Sequence, residues 1–524
     1  MSESGESEKN VSRRKFMKVA GLTVAGLALP GGMRLFRGGM LVYADGPKSC
    51  GPPPPARPQR IKGGESFPPL PLPATPIRRT ERKREPAPPT LMGKVVHGKM
   101  EWATDDRGNR YQYRDWTTDP ADVQNLLNWT NAKLGIRYRP VDVNLSDFSY
   151  SPTEIPILYF TGHEGFTLTA KERAGIRQFV HDGGFILADA CCGMKAFADA
   201  FEREIDIILP ERRRFRIPED HPLMDAFYKV GNVEYQVAGK GTFRDRVDIE
   251  GMNIGCRTAV FFTRHDMSCG WDHHTHPHGD RVMPSFALEL GANMVTYALA
   301  TYQLGRFLST EKVYYQSDRK TRDEFVFGQI QHDGDWDPDP SAVMNLLKYV
   351  GRYSTMDVQF KRSNVDLRRK QEVFAHSFLY MTGHHDFKLA DEETVNARKF
   401  LESGGVLLAD ACCGRASFDT AMRRELARVL PGKPLVPLAR DHQLYKSLEK
   451  IEGVEYTDLV KQSKPGFNTP ALEGVSLNGI LAVVYSKYDL GCGWEEIEHP
   501  YARGVASADA LRLGMNTIVY AMTH

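Results

Sequence analysis

Cysteine is scarce. There are eight in 524 residues, well below the density of a disulfide-built scaffold, so hydrophobic cores must carry the fold. Neither sign of charge prevails: Lys plus Arg is 68 and Asp plus Glu is 66. That balance argues against a nucleic-acid protein, which needs a basic excess on one face. Hydrophobic residues make up 41% of the chain, enough for globular cores. At 524 residues the chain is too long for one ordinary core, and two domains are expected.

What is present is a repeat. The stretch Gly183-Gly184-Phe185-Ile186-Leu187-Ala188-Asp189-Ala190-Cys191-Cys192-Gly193 returns as Gly404-Gly405-Val406-Leu407-Leu408-Ala409-Asp410-Ala411-Cys412-Cys413-Gly414, 221 positions later. Six of the eight cysteines occupy matching places in the two copies. Ahead of the repeats, Ser12-Arg13-Arg14-Lys15-Phe16-Met17-Lys18 precedes an apolar run that ends at Pro30. This resembles a twin-arginine export signal, which implies export of an already folded protein to the periplasm or cell envelope. The apolar run spans about 14 residues, short of the ~20 of a membrane span. Val42-Tyr43-Ala44 offers a small-x-small cleavage site, so 1–44 reads as the signal peptide. If it stays uncleaved, this segment is the expected membrane contact. Residues 45–93, with Pro52-Pro53-Pro54-Pro55 and basic clusters, read as a disordered Pro-rich tether holding Cys50. The first α/β repeat is expected over 94–304, a linker over 305–323, and the second repeat over 324–524.

Within the first repeat the pattern predicts strands at 95–103, 137–143, 155–160 and 185–188, and helices at 120–134 and 195–209. A helix is also expected after the capping box of Thr169 and Glu172, with Leu168, Ile176, Phe179 and Val180 on its apolar face. The second repeat follows the same order: strands at 325–331, 356–360 and 378–381, a helix at 340–353, and Leu389, Ala397, Phe400 and Leu401 on the next helix. Each repeat closes with a β-rich stretch, 258–267 or 479–490, and then a helix. Continuous apolar strands alternating with helices predict an α/β, doubly wound domain with a parallel sheet covered on both faces.

Ligands of such sheets bind beyond the carboxyl ends of the strands, and the shared polar motifs fall there. They are Asp115-Trp116, Thr161-Gly162-His163, Asp189 to Gly193, Asp220-His221 and Cys269-Gly270-Trp271-Asp272 with His276. Their counterparts are Asp335-Trp336, Thr382-Gly383-His384, Asp410 to Gly414, Asp441-His442 and Cys492-Gly493-Trp494-Glu495 with His499. Asp189 and Asp410 suit caps of the following helices. Trp116, Trp271, Trp336 and Trp494 suit core packing or, together with Asp189 and Asp410, a ligand platform.

As a set, these motifs resemble the bacterial domain-of-unknown-function 4159 family over roughly 94–304 and 324–523. The resemblance implies two tandem flavodoxin-like, class I glutamine amidotransferase-like, three-layer sandwiches. It brings no activity with it. In amidotransferase-like domains the nucleophilic Cys sits on a tight turn after a strand, which makes Cys191, Cys192, Cys412 and Cys413 candidate nucleophiles. His163, His221, His384 and His442 are then the candidate bases. The Gly-x-Cys-x-Gly elbow of that fold is absent, and Asp-Ala-Cys-Cys-Gly stands in its place.

Two other readings of the cysteines stay open. Cys269, Asp272 and His276, with a Cys of the 191–192 turn, are the right types for zinc, as is the local cluster of His273, His274, His276 and His278. Alternatively, disulfides Cys192–Cys269 and Cys413–Cys492 would staple the turns, with Cys191 and Cys412 as alternative partners; an exported location permits them. A bond within either vicinal pair would be strained. The leading expectation is a non-catalytic binding or assembly module of the cell envelope, because two linked modules raise avidity. A Cys-dependent hydrolase or amidotransferase-like enzyme and a metal-binding domain are the alternatives. No cofactor is required by the leading reading, and zinc is the ion the third one takes. The expected partner is an envelope ligand or protein, not nucleic acid.

Overall fold

A computed structural model describes residues 89–104, 108–135, 137–273, 279–310, 325–356 and 358–524, with the backbone of Leu35–Arg37 and Met40–Val42 besides. Tyr43 and Ala44 of the expected cleavage site, most of the tether, Cys50, residues 311–323 of the expected linker, and His274, His276 and His278 lie outside the described residues. The linker's first residues, 305–309, instead continue the helix Pro284–Ser309.

Each repeat is built on a seven-stranded sheet. The first runs in the order Arg139–Val143, Thr90–Val95, Ile157–Gly162, Phe185–Ala190, Arg257–Thr263, Glu250–Ile254, Phe215–Arg216. The second runs Val358–Val365, Phe325–Ile330, Phe378–Gly383, Val406–Ala411, Ile480–Ser486, Leu472–Leu477, Val436–Pro437. The first five strands in each order are parallel, as the apolar runs predict. The sixth strand runs antiparallel to the fifth, because a tight hairpin joins the two instead of a helical crossover, and the seventh pairs antiparallel with the sixth.

Helices cover both faces. In the first unit Asp122–Leu134 and Pro284–Ser309 pack one face around Trp271, while Ala170–His181 and Lys195–Ile208 pack the other. The second unit repeats this with Ala342–Tyr353 and Ser507–Thr523 around Trp494, against Asp391–Glu402 and Ala416–Val429. The capping box at Thr169 and Glu172 forms as its spacing predicts.

Two local expectations shift. The strand expected at 95–103 is two elements: Thr90–Val95 lies in the sheet, and Met100–Thr104 pairs with Arg110–Arg114 in a separate hairpin. Gly98, with φ +81°, separates them. Asp189 and Asp410 do not cap the helices that follow them, whose N-caps are Met194 and Arg415. Each carboxylate instead accepts the backbone amides opening a later short helix: Met267 and Ser268 for Asp189, Leu490 and Gly491 for Asp410.

The two units touch through specific contacts. Asp220 of the first accepts hydrogen bonds from the Ala416 and Ser417 amides of the second. Arg415 donates to the Asp220 carbonyl at 2.7 Å, Phe215 packs on the His385 ring at 3.9 Å between centroids, and Asn253 donates to Asp335 at 2.9 Å.

Candidate metal centre

The strand Phe185–Ala190 delivers Cys191 and Cys192 at its carboxyl end. Cys192 has φ +55° and Gly193 φ +68°, two left-handed residues in succession that turn the chain sharply into the next helix. A Cβ on Gly193 would lie 2.6 Å from Asp280 Cβ, so the turn is closed against that loop. Cys413 and Gly414 repeat this, with φ +54° and +65°.

The turn sulfurs meet a third cysteine. In the first unit Cys191 Sγ is 3.9 Å from Cys192 Sγ and 4.0 Å from Cys269 Sγ. The Cys191 thiol points at Asp119 Oδ2, 3.1 Å away. In the second unit Cys412 Sγ is 3.9 Å from Cys413 Sγ and 4.0 Å from Cys492 Sγ, and Cys413 to Cys492 is 3.8 Å. Asp339 faces this set at 3.5 Å from Cys412 and 3.4 Å from Cys492. Asp266 and Asp489 lie behind, each accepting two amides: Cys192 and Cys269 for one, Cys413 and Cys492 for the other. Every one of these sulfurs is at most 5% exposed. Three ligand sets within 4.8 Å of one another result: Cys191, Cys192, Asp266 and Cys269; Cys256, Asp339, Cys412 and Cys492; and Cys412, Cys413, Asp489 and Cys492.

A disulfide needs sulfurs about 2.05 Å apart. Among the described residues none stand at bonding distance; the pair Cys413 and Cys492, expected as a staple, is at 3.8 Å.

The electrostatics are those of crowded buried acids. Burial first, then the neighbouring thiols and carboxylates, push Asp266 well up, and burial with Asp489 and Glu495 does the same to Asp339. Burial raises the Cys256, Cys412 and Cys492 thiols well above their usual range. Cys413 goes well down: burial opposes this, but hydrogen bonds with Cys256, Cys412 and Cys492 and the nearby His499 outweigh it.

Of the four expected bases, His163 and His384 come to the cysteine turns and His221 and His442 do not. His384 Nδ1 stands 2.7 Å from Asp335, and His163 Nδ1 stands 3.3 Å from Asp115. Burial would depress His384, but Cys413 and Asp335 prevail and hold it up at about 10. His221 and His442 accept the amides of Leu223 and Leu444, so each caps a short 3-10 turn.

Asp272, an expected zinc ligand, accepts the Ala121 amide at 3.0 Å. His276 lies outside the described residues. Its counterpart His499 stands 3.5 Å from Cys413 Sγ. Trp271 and Trp494 are core: both are fully buried and donate to the carbonyls of Ala287 and Ala510. Trp116 is half-buried. Trp336 lies under the Arg362 guanidinium, 5.4 Å from its ring, and lines a cleft of about 700 Å³ with Arg212, Asp333, His385 and Lys388.

Asp119, Asp339 and Cys256 join the site without having been expected. The Asp-Pro pairs Asp119-Pro120 and Asp339-Pro340 do recur in both copies. Cys256 has no counterpart, since Asn478-Gly479 occupies the equivalent hairpin turn.

The domain of unknown function DUF4159 matches this chain twice, over residues 109–299 and 326–522. The chain belongs to the DUF4159 family. The two matches fall one on each sheet unit, so both cysteine centres lie within DUF4159 domains. No curated protein matches the chain.

Proposed function

We propose that this tandem DUF4159 protein is an exported, non-catalytic two-module protein of the cell envelope, in which each module is organised by a buried thiolate–carboxylate metal centre. One observation carries this: the same closed cluster of three cysteines on an aspartate occurs in both units, with sulfurs 3.8–4.0 Å apart. A tetrahedral ion with metal–sulfur bonds of about 2.3 Å sets its sulfurs about 3.8 Å apart. Structural zinc sites are closed, whereas catalytic ones keep an open position. A divalent cation would also relieve the crowding of acids described above. The cleft beside Trp336, at the carboxyl ends of the second unit's strands, is the ligand face that goes with a binding role.

One observation favours a second reading. Cys413, His384 and Asp335 lie in the order of a nucleophile, base and orienting acid. Against it, Cys413 is 2% exposed and its own amide is occupied by Asp489 instead of being open to an oxyanion. Elemental analysis of the natively purified chain separates the two. The metal reading expects about two ions per chain and thiols that alkylate only after chelation. A metal-free protein whose turn cysteine alkylates quickly, with loss of an amidase or esterase activity, would replace it with the enzyme reading.

A further inference from the structure

We infer that Cys256, carried into the second unit by the first unit's hairpin turn, is a ligand of the second unit's metal ion, so that this centre is built from both units and the ion fastens them together. The inference rests on the metal reading given above and adds to it a ligand from the other unit and a mechanical role.

Cys256 sits at the turn between Glu250–Ile254 and Arg257–Thr263, an element of the first sheet. Its side chain does not return to the first unit's cysteines. It is 4% exposed and its sulfur lies 3.5 Å from Cys492 Sγ. It also donates to Asp339 Oδ1, and it shares a mutual 4.8 Å radius with Cys412 and Cys492. Its carbonyl oxygen stands 3.1 Å from His499 Nε2, so the backbone of the turn is held there as well. The neighbouring Gly255 has φ +62°, and a Cβ on it would come within 2.7 Å of Leu308 and 3.3 Å of the Pro338 carbonyl. Glycine is what lets the turn approach this closely.

The two overlapping ligand sets of the second unit share Cys412 and Cys492. Cys256 and Asp339 join that pair in one set, Cys413 and Asp489 in the other. In the first of these, three sulfurs drawn from two domains and Asp339 surround one position, whereas the first unit's set takes its three sulfurs and Asp266 from that unit alone. Thiolates and a carboxylate are ligands zinc accepts in a closed tetrahedral site, each thiol giving up its proton to solvent as it binds. The repeat does not account for Cys256: the second unit's own hairpin carries Asn478-Gly479 there, followed by an exposed Ile480. Its buried surroundings are rich in ligand atoms: the thiols of Cys412, Cys413 and Cys492, with Ala502 beside them, and the Asp339 carboxylate.

The test uses the full chain, stripped under reducing conditions and reloaded with cobalt(II) as the probe. Wild type should take up two ions. Cys256→Ser should keep the first ion and hold the second roughly ten-fold or more weakly. Cys256→His, which restores a ligand, should recover the second ion and so separate ligand loss from misfolding. Cadmium NMR of the wild-type chain should show scalar coupling from one of its two metal resonances to the Cys256 β-protons. Unchanged cobalt affinity in Cys256→Ser, or no metal coupling at Cys256, overturns the shared site while leaving a metal in each unit. Thiol mapping that finds Cys256 covalently bridged to Cys492 overturns it too. No cobalt uptake by wild type brings down the metal reading itself.

Discussion

Two histidines at equivalent places follow the strands Thr90–Val95 and Phe325–Ile330, and their protonation sets an acid limit on the fold. His97 Nε2 donates to the Thr161 carbonyl at 2.9 Å among Phe160, Phe166 and Phe197; His332 Nε2 donates to the Thr382 carbonyl at 2.8 Å among Phe387 and Phe418. Burial lowers both to about 4. Between that value and the ordinary 6.5 the unfolded chain binds these protons and the folded one does not. Their stabilising effect is therefore complete above pH 6.5 and drains away as pH falls toward 4, at up to about 1.4 kcal/mol per pH unit for each residue. Urea unfolding at stepped pH should show this slope, and the His97→Gln/His332→Gln double variant should flatten it. At this scale the sequence was half legible. Residues repeated in both copies could be picked out, and the turn cysteines, His163 and His384 were. His97 and His332 also recur, but each follows its strand with no motif around it. Cys256 was invisible for the opposite reason: reasoning from the repeat discards whatever one copy has alone.

At the scale of elements, the helix Ala416–Val429 has no side-chain cap of its own, its N-cap being Arg415. Asp220 supplies that cap from the other unit, accepting the Ala416 amide at 2.8 Å and the Ser417 hydroxyl at 3.1 Å. Asp220→Ala should cost about 1–2 kcal/mol. The loss should register in the second unit's unfolding, read by exchange at the Ala416 and Ser417 amides, although the substitution lies in the first. Strand and helix order was legible because the apolar runs of parallel strands have turn glycines at their ends. Partners were not. Asp189 sits directly before a turn and a helix, and sequence proximity favours that helix; the fold brings in the Ser268–Trp271 turn instead, 78 residues away at Met267. Hydrogen bonds of that span leave no periodic trace.

For the whole molecule, the proposed twin-arginine signal at Arg13-Arg14 would tie folding to location. Among the described residues no helix is long and apolar enough to cross a membrane. On the proposed export by this route, Arg13→Lys/Arg14→Lys should hold the chain in the cytoplasm, measured by fractionation, without changing the metal content of the retained protein. Export of a finished fold fits the thiol centres: a reducing compartment keeps cysteines available until an ion has covered them.

The hairpin turn at Gly255-Cys256 has one more consequence. The two units are built alike, and this turn breaks their equivalence. On the shared-site proposal, the half synthesised first carries a ligand for the half synthesised last. Reordering the halves by circular permutation preserves both sheets and every local motif, yet it places the donor of that ligand behind its recipient on the ribosome. The chain has acquired a direction, and its second half is finished only in the presence of its first.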